Sequence, residues 1–254
     1  MLRNLFAHPL TRSKDIDDPE TTAIRLQIIQ SKPLLRKIYE EWYDRIASHF
    51  DENDSVIELG SGAGFLKDFI PNLITSELFP ISGIDRVIDA QAMKLDDFSL
   101  DGIVMTDVMH HIPDCDAFFY EAGRVVKPGG KIVMIEPWNN SWSKWVYTYL
   151  HHEPFRPLAK KWQFPQSGPL SGANGALPWI IFERDRRLFS QKHPEWAIES
   201  IIPLMPIIYL LSGGVSLRNF FPGWLFGLVR GMERLNFESK WGMFAEIVLV
   251  KNCE

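Results

Sequence analysis

Glu58, Gly60, Ser61, Gly62 and Gly64 are the residues whose types and spacing most directly imply chemistry. They lie in the run Val56-Ile57-Glu58-Leu59-Gly60-Ser61-Gly62-Ala63-Gly64-Phe65-Leu66. Val56, Ile57 and Leu59 read as a short strand of a parallel sheet covered on both faces. The glycines let the backbone turn sharply and leave no side chain between it and a ligand. Phe65, Leu66, Phe69 and Ile70 follow at helical spacing, which predicts a helix whose N-terminus the turn delivers to that ligand. A dinucleotide fingerprint would need its third glycine at position 65, which is Phe65, and Glu58 would repel a pyrophosphate. A cationic amino-acid group would instead be attracted to that acid. S-adenosylmethionine carries such a group and no phosphate, so the turn favours it over a nicotinamide dinucleotide.

Downstream residues extend the pattern. A nucleoside-binding α/β chain places an acid facing the ribose at the end of its second strand, about 20 residues after the turn. Leu73-Ile74-Thr75-Ser76-Glu77 supplies Glu77, and Gly83-Ile84-Asp85 competes for the same role. Glu77 is preferred, because residues 85–90 then read as a third strand in which Asp89 is placed to accept the adenine amino group. Residues 100–106 read as the fourth strand, and the turn Lys127-Pro128-Gly129-Gly130 leads to the fifth at 131–136. His110 and His111 follow the fourth strand at the mouth of the expected cleft, and His111 is the candidate for a substrate-facing base. Glu136 ends the fifth strand, where ligands of open α/β sheets bind, and is a second substrate-site candidate. The pairs His110-His111 and His151-His152 invite a metal reading. It is set aside, because adjacent strand residues point to opposite faces and no Cys, Asp or Glu completes a familiar spacing.

With these residues in order, the chain resembles the class I S-adenosylmethionine-dependent methyltransferases, of the kind that includes the ubiquinone and menaquinone C-methyltransferases. The resemblance rests on residues 58–64, Asp89-Ala90-Gln91-Ala92-Met93, Leu100-Asp101-Gly102-Ile103-Val104-Met105, His110-His111-Ile112-Pro113-Asp114 and Val126-Lys127-Pro128-Gly129-Gly130, and spans roughly 55–137. It implies a doubly wound, mostly parallel seven-stranded Rossmann-like sheet with a C-terminal antiparallel hairpin and an inserted lid. It also implies cofactor roles. Glu58 and the turn Gly60, Ser61, Gly62 and Gly64 take the amino-acid end, Glu77 the ribose, and Asp89 with Ala90 the adenine, while Thr106 lies near the methionine moiety. One departure is that the stretch between Glu77 and Asp89 is too short for the usual helix between the second and third strands.

Composition bounds the remainder. The 254 residues suit one α/β domain with insertions, and a net charge of −5 gives no electrostatic case for nucleic acid. Two cysteines, Cys115 and Cys253, rule out a disulfide scaffold and make a reducing cytoplasm the expected compartment. The N-terminus lacks the long apolar core of a signal peptide. The expected organisation is a helical segment over 1–50, irregular before residue 19 and broken at Pro33; a cofactor core over 51–137; a lid insertion over 138–200; and C-terminal strands over 201–254. Residues 241–251 read as the terminal strand, with 199–208 as its hairpin partner.

The insertion should choose the substrate. It holds His151-His152-Glu153 and a Gly/Pro/Ser-rich loop at 164–179, suited to a lid over a cleft. The ordinary alternative is a surface connection. Apolar runs at 201–211 and 220–229 are broken by prolines, Gly213-Gly214 and Arg218, so neither spans a bilayer. They read as buried elements or as a surface for a membrane or lipid-like substrate. Trp138, Trp142 and Trp145 add an apolar group that suits a pocket or the core. The sequence thus points to methyl transfer onto a small, apolar or lipid-like acceptor. Its alternatives are a cofactor-binding module without catalysis and a nicotinamide-dependent dehydrogenase; oligomeric state is left open.

Overall fold

A computed structural model describes residues 19–62, 64–151, 153–165, 172–215 and 221–253, with side chains from residue 24 onward, residue 236 aside. The expectations for residues 1–18, Ala63, His152, 166–171 and 216–220 lie outside that set. Two helices come first, α1 (Pro19–Ser31) and α2 (Pro33–Ala47). Pro33 separates them, and it opens α2 because a proline lacks the N–H that a first helical turn leaves unpaired anyway. Five strands follow: β1 (Val56–Leu59), β2 (Ile74–Glu77), β3 (Arg86–Val87), β4 (Leu100–Thr106) and β5 (Val126–Pro137). They pair in parallel. Helix α3 (Cys115–Val125) joins β4 to β5 and starts on Asp114, whose side chain accepts from the Ala117 N–H.

The sheet closes with β6 (Trp196–Leu204) and β7 (Phe244–Lys251), giving the order β3-β2-β1-β4-β5-β7-β6. β7 is antiparallel to both β5 and β6, the expected C-terminal hairpin. Its partner strand begins at Trp196, earlier than 199, because the ladder with β7 runs as far as Lys251. β4 shows why both faces are covered. Ile103 and Met105 enter the cluster containing Phe118, Phe119, Phe182 and Phe189, while Val104 enters the other, with Leu34, Ile38 and Trp42 of α2.

Two connections differ from the sequence expectation. The helix predicted after the glycine turn is a single tight turn, Leu66–Asp68. Pro71 ends any further helix, and Leu66, Ile70 and Leu73 join α2 in one apolar cluster instead of forming a face of their own. β3 is also shorter than 85–90, because the Asp89 carboxylate accepts from the Gln91 N–H and turns the chain away. The missing helix between β2 and β3 was expected.

The insertion contains α4 (Ser141–Tyr149), opened by an Asn140–Ser143 capping box, then an irregular stretch. Turns Leu177–Trp179 and Ile180–Arg184 follow and lead into α5 (Arg186–Lys192). After β6 come α6 (Ile208–Ser212), α7 (Phe226–Asn236) and α8 (Glu238–Trp241). No helix of the described residues is long and apolar enough to cross a membrane. α7 turns an inverted face to the protein. Arg230 and Glu233 are buried, whereas Leu228, Met232 and Leu235, with Trp224 just before the helix, are exposed. Arg230 pairs with Glu233, with Glu41 of α2 at 2.6 Å and with Glu238 at 2.6 Å. Glu233 in turn accepts from the Ile207 and Ile208 N–H groups at 2.7 Å each.

This network predicts that Arg230→Ala lowers stability by about 3–5 kcal/mol, because it strands buried carboxylates. Chemical denaturation should show the loss, whereas Arg234→Ala, whose own side chain is exposed and whose partner Glu41 keeps Arg230, should cost under about 1 kcal/mol.

Candidate active site

The strand order reverses between β1 and β4, so their carboxyl ends open a crevice where open α/β sheets bind ligands. The glycine turn leaves β1 there. Gly60 and Gly62 hold φ of +67° and +29°, a region that L side chains rarely adopt. A Cβ on Gly60 would lie 2.6 Å from Val108, and one on Gly64 2.9 Å from the Ser61 carbonyl oxygen. The turn is fastened to β2, since Ser61 donates its N–H to the Ser76 carbonyl at 2.9 Å and accepts the Ser76 N–H on Oγ at 3.0 Å. Tyr43 of α2 lies on Gly64, and its ring meets Phe65 edge-on with centroids 4.9 Å apart. α2 therefore roofs the turn with aromatic rings.

Glu58 is 2% exposed. Burial pushes its pKa up to about 7 against a Ser61 hydrogen bond that lowers it, and nearby Glu77 adds to the rise. Glu77 ends β2, and burial raises its pKa while N–H groups of Leu78 and Gly62 pull the other way. Asp85 is engaged elsewhere, accepting from Lys67 and from the Thr75 N–H and hydroxyl. Asp89 is exposed one strand over, just past Ile88, whose N–H donates to the Glu77 carbonyl at 2.8 Å. Ala90 packs at the edge of the core beneath it. Thr106 ends β4, and its Oγ1 is buried with no hydrogen-bond partner among the described residues. A buried carboxyl pair, an unpaired hydroxyl and a turn bare of side chains fit a ligand that brings a cation and hydroxyl groups, as S-adenosylmethionine does.

Beyond Thr106, Asp107 takes φ of +62° and the chain enters the turn Met109–His111. Glu136, fully buried at the end of β5, organises this turn. One oxygen accepts from the Val108 and Met109 N–H groups at 2.8 and 2.7 Å, and the other meets His110 Nδ1 at 2.7 Å. Glu153, from the insertion, lies 3.3 Å from His110 Nε2 and 3.7 Å from His111 Nε2. His111 Nδ1 donates to the Gly172 carbonyl, 3.2 Å away. Burial lowers the His110 pKa, but the hydrogen bond and charge of Glu136, with Glu153 behind, carry it well above the ordinary value. Burial and the charge on His110 press His111 down to about 4, so its ring is neutral at neutral pH.

The structure thus brings Glu58, Gly60, Ser61, Gly62, Gly64, Glu77 and Thr106 to one crevice, with Asp89 and Ala90 on its flank. It puts His111 beside them and corrects the expectation for Glu136. That carboxylate does not face a substrate, since both of its oxygens are taken by the protein, and it positions His110 instead. The argument against a metal also changes. An acid does complete the His pair, 43 positions along the chain, and Asp107 is a further acid 4.0 Å from His110 Nε2. Sequence reasoning missed both, Glu153 for that separation and Asp107 although it directly follows Thr106. Trp138 is core, while Trp142 stacks on exposed Trp145 and donates its indole N–H to the Pro206 carbonyl, so these rings do not line one pocket.

Residues 34–173, more than half of the chain, match a family described as a methyltransferase domain. A Synechocystis 2-methyl-6-phytyl-1,4-hydroquinone methyltransferase is 33% identical over 87 residues, which are 34% of this chain and 27% of that protein. The chain therefore spans about a quarter of that curated relative. Among solved structures, a Streptomyces coelicolor geranyl diphosphate C-methyltransferase, held with Mg2+, geranyl diphosphate and S-adenosyl-L-homocysteine, is 12% identical, with a TM-score of 0.52 over 97% of this chain and 91% of that one. The complex of a Haloferax volcanii methyltransferase with the Trm112 methyltransferase activator matches at 13% identity and a TM-score of 0.55, over 94% of this chain and 98% of that one. At such identities the two structures establish the fold.

The raised pKa of Glu58 sets a pH-dependent stability. The folded chain keeps a proton between about pH 4.5 and 7 that the unfolded chain releases, so this residue's contribution falls as pH rises through that window. Glu58→Gln should leave the melting temperature of the ligand-free protein unchanged below about pH 4.5. It should raise it above pH 7, by the equivalent of about 3 kcal/mol at most.

Proposed function

The chain belongs to the methyltransferase-domain family, which draws on S-adenosylmethionine, and from that premise we propose that it methylates a small, apolar or lipid-like acceptor held over the His110–His111 turn. The observation that carries this reading is the juxtaposition of the Glu58–Gly64 turn with that turn through the Gly60–Val108 contact. Bound S-adenosylmethionine supplies an electrophilic methyl group on its sulfonium. Glu58 and the bare turn hold the amino-acid end, with the ammonium group drawing Glu58 into its charged form. Glu77 takes the ribose hydroxyls, Asp89 and Ala90 the adenine, and Thr106 the methionine moiety through its unpaired hydroxyl.

At the acceptor end, His111 and Glu153 are the groups positioned to take a proton, if the acceptor must lose one, while Glu136 positions His110. Alignment of an acceptor with the S–CH3 bond can contribute several kcal/mol by itself. The insertion would serve as lid and substrate selector. Its Asn174 donates its N–H to the His110 carbonyl at 3.0 Å, and Gly172 receives His111. The apolar acceptor is supported by the hydroquinone specificity in the name of the Synechocystis relative, and by the exposed stripe of Trp224, Leu228, Met232 and Leu235. We assign that stripe to peripheral contact with a lipid surface, with Lys37 over the Phe226 ring at the start of the same helix.

Titration calorimetry with S-adenosylhomocysteine should give micromolar binding and none with NADH. Glu58→Gln and Gly60→Ala should each weaken it at least about tenfold, and near pH 7 binding should release protons from Glu58 in proportion to its protonated fraction. Binding without turnover on any quinol or isoprenoid acceptor would favour a module without catalysis. No binding by the folded chain would refute the reading.

A further inference from the structure

We propose that the chain carries a site for one divalent first-row transition ion, built from Nε2 of His110, Nε2 of His111 and the carboxylate of Glu153. The two rings sit on one turn, with centroids 4.3 Å apart and planes inclined by 41°. One ligand atom from each of the three residues lies within 4.8 Å of the others. Around an ion with bonds of about 2.0–2.2 Å, neighbouring ligand atoms are roughly 3.0–3.5 Å apart. Glu153 already meets the two Nε2 atoms at 3.3 and 3.7 Å, so the set needs only a small inward closure.

The decisive feature is what holds each ring from behind. His110 gives its Nδ1 to Glu136, which is itself fixed by two backbone N–H groups. His111 gives its Nδ1 to the Gly172 carbonyl. Both rings are thus fixed through Nδ1 and turn Nε2 toward one carboxylate. Outer partners of this kind orient metal-binding histidines and set their tautomer. A hydrogen bond to Glu153 accounts for the His110 ring alone, whereas His111 is turned to the same carboxylate by its own backbone anchor.

Asp107 and His151 flank the set, at 4.0 Å from His110 Nε2 and 3.9 Å from Glu153 respectively. The Asp107 side chain is 39% exposed, which gives the site a way out to solvent. Asp107, His110 and Glu136 also cluster, but the Glu136 oxygens are already engaged, so that trio is the weaker site. Two imidazoles and one carboxylate suit Zn2+, Fe2+ or Mn2+ better than Mg2+ or Ca2+. They leave open positions for water or for an oxygen of the acceptor, whose ionisation would then fall to the ion rather than to His111 and Glu153. Only this last use rests on the methyl-transfer reading; the site itself does not.

The test uses the full chain, stripped with EDTA and titrated calorimetrically with Zn2+ and Mn2+ at pH 7.5, and examined by Co2+ absorption. One equivalent should bind, with visible Co2+ bands of imidazole coordination. His111→Gln and Glu153→Gln should each weaken binding at least about tenfold. His193→Gln, whose ring faces Asp116, should leave it unchanged. No binding, no Co2+ bands, or equal losses in all three variants would overturn the site. S-adenosylhomocysteine binding, measured on the same samples, reports whether each variant is folded and separates failure of the ion site from failure of the methyltransferase reading. The Co2+ spectrum of the unmodified chain decides the matter even if a variant does not fold.

Discussion

The carboxylate of Glu136 is the point on which both halves of the crevice depend. It sits at the end of β5 with no access to water, a position that is costly unless both oxygens find donors. Two backbone N–H groups and one imidazole meet that demand, and all three come from the segment after β4. Val108, fixed by its N–H, is the residue that packs on Gly60, so one buried acid sets the glycine turn and the His110–His111 turn together. Asp107 lies at the bend between them, in a backbone region that non-glycine residues seldom occupy.

A second constraint comes from what the fold omits. A Rossmann-like sheet ordinarily carries a helix after its first strand and another after its second, and here the first is one tight turn and the second is missing. The exposed apolar area above β1 and β2 must still be covered. α2 does this from outside the β-α-β sequence, with Trp42, Tyr43 and Ile46 buried and Tyr39 and Tyr43 meeting Phe65. The N-terminal helices thus act both as core and as roof of the glycine turn. Arg25 of α1 adds a positive charge that acts on Glu77 and Asp107, one on each side of the crevice.

Most strand positions, and the places of Glu58, the glycine turn and Glu77 at the strand ends, were legible in the sequence because each is written in consecutive residues. An apolar run that ends on Glu58, a glycine spacing and a strand that stops at Glu77 are local statements, and local backbone geometry obeys them. The helix after the turn was misread for the opposite reason. Phe65, Leu66, Phe69 and Ile70 have helical spacing, yet their apolar character answers to α2, a neighbour that no short window contains. The same limit applies to the histidine cluster. His110 and His111 were visible, but Glu153 reaches them across the whole of α3, β5 and α4, and only the folded sheet reveals that convergence.

The division of labour follows from these distances along the chain. Cofactor groups belong to the sheet and its first turn, which the Ser61–Ser76 bonds and Glu136 hold fixed. The groups that would meet an acceptor in the proposed reading come in part from the insertion, which reaches the His110–His111 turn through Glu153, Gly172 and Asn174. The rest of the insertion is tied to the sheet, since Trp162, Ile180, Phe182 and Phe189 share the apolar cluster of β4 and β5, so these polar groups rather than its packed turns can change without disturbing the ladder. In the proposed reading, acceptor choice falls to those polar groups while the buried Glu136 keeps the methyl-donor side in place, and the acids and histidines gathered at Glu153 are where that choice would act on chemistry rather than on shape.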